Sequence, residues 1–410
     1  MLTTAVTTEL LGEHPALSHI DVGMEITASW IRGGDGLVGF GVHARTSVSG
    51  KSRFNDARVW WKSQLASYEI RNNVRGSGTG PLLFASFAFN EDEPTELVIP
   101  EVIVGRKNGE SWITWFGEKP HPTLAQAAPA TNHPTITWRT GSLEDSIWKA
   151  RVAGAVEKIK AGSLDKVVLA RDLIAESDSP VSLRPIIHNL ESKYPSTWVF
   201  TVAGLVGATP ELLARLSKSL VTSRVLAGTI RMTGDESKDL ALAGSLAKSS
   251  KDLEEHEYAV RSVADALAPY CSSTNVPESP FVLHLANVMH LATDVTGVVN
   301  ESAVPVDIFT VISSLHPSAA VCGTPTDVAR TLINELEGMN RSRYAGPVGW
   351  VDARGDGEMG IALRCGLISD DARSVRVFAG CGIVAGSVPE DELAESQAKL
   401  SPMRTALETL

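Results

Sequence analysis

Residues 346–369 read GPVGWVDARGDGEMGIALRCGLIS. Two apolar runs flank a central ARGDGEM, whose Gly and Asp content marks a tight turn between antiparallel strands. Strong helix patterns surround this pair: SKDLEEHEYAVRSVADALAPY (250–270), TDVARTLINELEG (326–338) and PEDELAESQAKLSPMRTALETL (389–410). A hairpin set among helices predicts large antiparallel or mixed sheets rather than a repeated strand–helix–strand order. The expected fold class is therefore α/β in the α+β sense, with large stacked, mostly antiparallel sheets and helices outside.

Working outward, KVVLARDLIA (166–175), STWVFTVAGLV (196–206), LLARLSKSLVTSRVLAGTI (212–230) and SVRVFAGCGIVAGS (374–387) also read as strands. SLEDSIWKARVAGAVEKIKAG (142–162) reads as an amphipathic helix with Ser142 as N-cap. Its apolar positions are Ile147, Val152, Val156 and Ile159, and it ends at Gly162. The first 140 residues read as strands and loops with few long helices, through GDGLVGFGVHA, PLLFASFAFN, TELVIPEVIVGRK and ESWITWFG. HPTLAQAAPATNHP (121–134) lacks periodicity and is the linker candidate. No repeat at a solenoid period is present.

The 410 residues carry 48 acidic and 37 basic side chains, a formal net charge of −11, with 43% apolar and 21% charged residues. Disorder would need fewer apolar residues. Binding nucleic acid through counterion release would need a basic surplus. The longest apolar runs, Trp198–Ala208 and Val377–Val388, fall short of the ~18–20 residues that cross a bilayer. The N-terminus shows no basic segment followed by an apolar core, so no secretory signal is expected. These readings point to a soluble, cytoplasmic protein with neither a nucleic-acid nor a membrane partner. Cys271, Cys322, Cys365 and Cys381 have no metal-ligand spacing and read as reduced, mostly buried small hydrophobes. Gly50-Lys51-Ser52 has the end of a phosphate-binding loop, but the glycine such a loop needs at position 45 is Arg45. Gly380-Cys381-Gly382 comes too near the C-terminus for a complete dinucleotide-binding unit.

Two helices carry carboxylates spaced by three: Asp252 and Glu255, then Glu392 and Glu395. That spacing puts each pair on one helix face. Val260 and Val263 continue the side of Asp252, Glu255 and His256, while Leu393 and Leu400 flank Glu395 and Lys399. Carboxylates at the edge of an apolar face repel one another unless a cation sits among them, and all-oxygen ligands suit Mg²⁺. LAGTIR (226–231) offers a Gly-Thr turn that suits an oxyanion, and AGCGIVAGS (379–387) lets backbone amides approach a ligand. Arg364 ends the strand GIALR, a position suited to bidentate carboxylate recognition, and Tyr344 in RSRYAGPVG could add a hydroxyl contact.

Taken in order, these segments resemble the chorismate-utilising enzymes: the isochorismate, salicylate, anthranilate and aminodeoxychorismate synthases. The matching stretches are KVVLAR, GATPELLARL, LAGTIR, KDLEEHEYAV, MHLATDVTG, LHPSAAVCGTP, RSRYAGPVGW, GIALRC, AGCGIVAGS and ELAESQAKL, over roughly residues 145–402. The first 140 residues match loosely, chiefly through PLLFASFAF. The resemblance implies the fold of anthranilate synthase component I. Residues 1–140 would form its variable N-terminal part and 141–410 its catalytic region, together one large domain. It also implies a general base at Lys166, where ammonia-using branches typically have glutamine, and a general acid at Glu211. Glu211 follows Pro210 and would equally suit the first turn of a helix.

By the same resemblance, Gly228, Thr229, His290, Ala320, Tyr344, Arg364, Gly382 and Lys399 would bind chorismate. Mg²⁺ would be held by Glu255 and Glu395, with Asp252 and Glu392 supporting it through water. Ala227 stands where aminodeoxychorismate synthases carry a nucleophilic lysine. Ala320 in HPSAAVCG matches the isochorismate-forming branch, where salicylate-forming relatives tend to have threonine. The implied activity is isochorismate synthase, an isomerase, with salicylate synthase as the alternative. No glutaminase subunit is expected, and a monomer is common in the family. Val388 departs from the family's frequent Asp beside the last helix.

Overall fold

A computed structural model describes residues 3–12, 17–124, 134–285, 288–300 and 306–410. Most of the linker candidate lies outside them. The hairpin that opened the sequence reading is present: Pro347–Asp352 pairs antiparallel with Gly357–Ile361, with Val351 opposite Gly357. It belongs to a 10-stranded sheet that stacks on a 13-stranded one, and a separate two-stranded pair completes the strands found among the described residues. The pairings are antiparallel except that of Thr4–Leu10 with Tyr68–Asn72. The first 140 residues supply strands to both large sheets, such as Ile26–Arg32 to one and Leu82–Ser86 to the other.

One hydrophobic core fills the space between the sheets, with Trp30, Phe84, Phe200 and Trp350 among its buried residues. A second core covers the outer face of the larger sheet. There Ile186, Ile187 and Leu190 of the helix Leu183–Lys193 meet Leu400, Met403 and Leu407 of the helix Pro389–Glu408. These residues recur at three- and four-residue intervals, which places each set on one helix face.

Several local expectations are corrected. The helix read from Ser142 starts at Asp145 with Glu144 at its N-cap, and it ends at Lys160. Ser142 binds Asp172 instead, through its N–H at 2.7 Å and its hydroxyl at 3.0 Å. Ile147 is 45% exposed, and Trp148 takes its place in the core. The N-terminal part contains a 13-residue helix, Arg53–Leu65, that patterning missed. Glu211 begins no helix: it lies in the link between the strands Leu205–Thr209 and Leu212–Ser217. Val388 provides no side-chain cap, but Pro389, Glu390, Asp391 and Glu392 occupy the first turn, where acidic groups favour the helix dipole.

Two chain crossings position the site. Leu205–Thr209 lies in the larger sheet and Leu212–Ser217 in the smaller, so Pro210-Glu211 bridges them. Gly357–Ile361 and Cys365–Ile368 are divided the same way, so Ala362–Arg364 bridges back. The crossings are bonded to each other: Ile361 N–H donates to Glu211 O at 3.1 Å, and Ala208 N–H donates to Arg364 O at 3.2 Å. Both side chains therefore emerge where the sheets part.

Candidate active site

The cleft between the sheets is lined by Glu211, Ala227, Gly228, Thr229, Glu255, His290, Ala320, Tyr344, Arg364, Gly380, Gly382 and Lys399, among others. Lys166 borders it, fully buried at the start of the strand Lys166–Ser177. That strand runs antiparallel to Ser374–Ile383, with Val168 opposite Gly382 and Ala170 opposite Gly380. The two glycines keep this wall open. A Cβ on Gly382 would lie 2.3 Å from Glu255 Oε1 and 2.9 Å from Lys166 Cε, and one on Gly380 would lie 2.8 Å from the Tyr344 hydroxyl. Lys166 Nζ faces Glu255 Oε1 at 3.0 Å. The angles of this ion pair fall outside hydrogen-bond geometry, which leaves Nζ without a hydrogen-bond partner among the described residues. A buried nitrogen of this kind calls for a further polar group beside it.

Glu211 is 5% exposed, and burial pushes its pKa up to about 8, against the pull of Lys166, Arg364 and Lys399. Removing the carboxylate from water costs more here than three neighbouring cations return. The group is consequently a carboxylic acid near neutral pH.

The opposite wall is the long strand Leu220–Arg231, paired with Val288–Val299. The register shifts between Ala227 and Thr229, and Gly228 at the bulge has φ +77°. Such a conformation favours glycine. A Cβ there would also come within 3.0 Å of Asp252 Cβ, so the helix Ser250–Leu267 packs closely on the bulge. His290 connects the bulge to the crossing, with Nδ1 3.0 Å from Thr229 Oγ1 and Nε2 3.1 Å from Arg364 Nη2. Arginine can only donate, so Nε2 accepts and the imidazole is neutral with its proton on Nδ1. Burial, followed by Arg364 and Lys399, lowers its pKa well below the usual value, in agreement with that assignment.

Arg364 is held at φ +50°, an uncommon conformation for a residue with a side chain. His256 is a second neutral imidazole, brought to about 4 by burial. It donates from Nδ1 to Ala227 O at 3.3 Å and accepts from Thr293 at 2.7 Å.

The carboxylates divide into two groups. Glu392 and Glu395 lie with Cys381 so that one ligand atom from each falls within 4.8 Å of the others; Glu255 and Asp252 are outside this set. Burial raises the Cys381 thiol well above its usual value, so it stays protonated, and Sγ is bonded to Glu392 O at 3.3 Å. Glu395 pairs with Lys399 at 2.5 Å, and Lys399 Nζ also donates to Gly380 O at 3.0 Å. Burial opposes the charge of Lys399, but Glu395 outweighs it and raises the pKa.

The structure thus gathers the predicted substrate residues into one cleft, with Lys166 at its edge; of the four predicted metal carboxylates Glu255 lines it, whereas Asp252, Glu392 and Glu395 are not among its lining residues. Patterning missed the supports behind it. Arg341 and Glu337 form a fully buried ion pair. Arg341 donates to Val168 O and Val321 O, both at 2.8 Å, and Glu337 accepts from Ala170 N–H at 2.7 Å. This pair fastens the Lys166 strand to the segment bearing Ala320. Arg341 stands at the start of RSRYAGPVG, but a glutamate four residues before an arginine reads equally as an exposed helix pair.

A family model described as chorismate binding enzyme matches residues 32–408. The chain belongs to that family. It is 31% identical over 406 residues to the isochorismate synthase MenF of Bacillus subtilis, covering 90% of this chain and 85% of that protein. It is 36% identical over 345 residues to the putative isochorismate synthase MenF of Mycobacterium tuberculosis, covering 81% and 87%. Among solved structures, the putative 2,3-dihydroxybenzoate-specific isochorismate synthase DhbC of Bacillus anthracis superimposes with a TM-score of 0.77. It has 28% identity, over 93% of this chain and 96% of that one. No described helix is long and apolar enough to cross a membrane.

Proposed function

We infer that this protein is an isochorismate synthase, an isomerase that adds water at C2 of chorismate and removes the hydroxyl at C4. The observation that carries the reading is one cleft bordered by a buried lysine lacking a hydrogen-bond partner and lined by a buried carboxyl that keeps its proton. Relatives named isochorismate synthase along most of the chain support it. Lys166, once it has given up its own proton and is a neutral amine, takes a proton from the attacking water. Glu211 gives its proton to the departing C4 oxygen, and the ring double bonds shift between the two events. Ala227, lining the cleft, offers no nucleophile of its own, and Lys166, where ammonia-using branches typically have glutamine, favours water as the group added. A water nucleophile needs no ammonia-delivering subunit.

The substrate is a dianion, and the cleft answers with fixed charge. Arg364 and Lys399 hold the enolpyruvyl carboxylate with the Tyr344 hydroxyl and the Gly382 backbone. Gly228 and Thr229 meet the ring carboxylate, and His290 keeps Thr229 and Arg364 in position. The residues also fit a hard divalent cation. With the Cys381 thiol protonated, the donors that lie together are the carboxylates of Glu392 and Glu395, and Glu255 and Asp252 on the other helix offer further carboxylate oxygens. We assign Mg²⁺ to Glu255 and Glu395, with Asp252 and Glu392 supporting it through water. Bound there, the cation supplies positive charge for the ring carboxylate.

Lys166→Ala and Glu211→Ala should each abolish turnover while leaving the circular dichroism spectrum unchanged. Exhaustive chelation should abolish turnover reversibly, with Mg²⁺ restoring it. Activity near that of the unaltered protein in either variant would remove the role given to that residue, and activity after chelation would remove the metal.

A further inference from the structure

The turn Gly50-Lys51-Ser52 plays no part in the active site, yet it forms a wall of a second cavity of about 330 Å³. Lys51, Arg53, Arg58 and Arg330 line this cavity against one carboxylate, Glu91. Four cations to one anion is a local inversion in a chain of net charge −11. Arg58 is matched by Asp307, with Nε 2.8 Å from Oδ2.

Arg53 has no such match. It is 6% exposed, with no carboxylate within 4.0 Å among the described residues, and its Nε has no hydrogen-bond partner. Its hydrogen bond is a long one, Nη1 to Gly50 O at 3.4 Å, and its other contact is with the Phe54 ring, whose centroid lies 4.7 Å from Cζ. A buried guanidinium this poorly met calls for an anion. Burial lowers its pKa and Arg330 lowers it further, while Glu91 and Asp92 act the other way. His316, also on the wall, adds no charge because burial brings it to about 3.

The helix Arg53–Leu65 begins at the same place, and its end is uncapped. The Ser52 hydroxyl donates to Asp56 Oδ2 at 2.6 Å instead of turning to the backbone. The amides of Phe54 and Asn55, two residues of the cavity wall, have no acceptor among the described residues. Free amides at a helix start beside an arginine favour a tetrahedral oxyanion.

We propose that this cavity binds a phosphate-class oxyanion, anchored by Arg53 and the Phe54 and Asn55 amides, with Lys51 and Arg330 as outer charges. The missing glycine at position 45 still rules out a nucleotide loop; the site holds a single phosphate group.

Inorganic phosphate and glycerol 3-phosphate are titrated into the purified protein by calorimetry, at ionic strength fixed with chloride and with saturating chorismate and Mg²⁺ present. Saturable binding of either at one site per chain is expected, and the tighter of the two tells free phosphate from a phosphate ester. Arg53→Gln and Arg330→Gln should each weaken it on the order of tenfold. Should Arg53→Gln fail to fold, Arg330→Gln and Lys51→Gln, both nearer the surface, carry the test. The proposal fails if neither compound binds in preference to chloride, if chorismate displaces them, or if the folded variants bind like the unaltered protein.

Discussion

Replacing Glu211 with glutamine should raise the stability of the fold by an amount that grows with pH. The carboxyl is pushed from 4.5 to about 8 by burial. Between those values the folded chain binds a proton that the unfolded chain has released, so stability falls as pH rises through the window. The slope reaches at most about 1.4 kcal/mol per pH unit, and the full difference above pH 8 is about 5 kcal/mol. At pH 7 it is roughly 3 kcal/mol. Glutamine preserves the shape but has no proton to lose, so Glu211→Gln removes this slope. Urea midpoints for both proteins, measured at half-unit steps from pH 5 to 9, give the comparison. The variant should gain on the unaltered protein steadily up to about pH 8 and hold its advantage beyond. Parallel curves would refute the reasoning, because they would mean that Glu211 ionises in the fold as it does in water.

The same group sets a limit on catalysis: as an acid it must be protonated, so kcat/KM should fall as pH rises through about 8. A profile flat to pH 10 would contradict that role. Gly382→Ala should reduce kcat by ~100-fold or more. Its Cβ would collide with Glu255 Oε1 at 2.3 Å and crowd Lys166. Near-normal kcat in that variant, with its fold verified by circular dichroism, would show that the close approach is unimportant. His290→Ala should raise KM by roughly 10- to 100-fold, since it leaves buried Arg364 and Thr229 without their common partner. Steady-state kinetics on chorismate checks this, and an unchanged KM would remove His290 from the substrate wall.

Much of the fold could be read from local patterning because its strands and longest helices have strong periodic signals. The 346–369 hairpin, the Lys166 strand and the 250–267 helix all emerged at nearly their observed limits. The helices Arg53–Leu65 and Ile308–Leu315 did not. The first mixes Val59, Trp60 and Trp61 into one turn, and the second is an eight-residue apolar run that a buried strand would match equally well. Individual candidate residues could be named because each motif that carries the family resemblance keeps its residues within a few positions. Their relations were not. The approach of Lys166 to Glu255 depends on a helix and a strand 89 positions apart meeting over Gly382. Glu211 looked like a helix start because a chain crossing between two sheets leaves no periodic trace. Its raised pKa comes from burial at that crossing, which no local window contains.

The central claim is that water enters at C2 while the C4 oxygen departs. It is tested most directly by running the reaction with purified protein, chorismate and Mg²⁺ in ¹⁸O-water and examining the product by mass spectrometry. The account predicts isochorismate carrying one ¹⁸O atom, with the label on C2 and no pyruvate released. Unlabelled product, or salicylate accompanied by an equal amount of pyruvate, would contradict it.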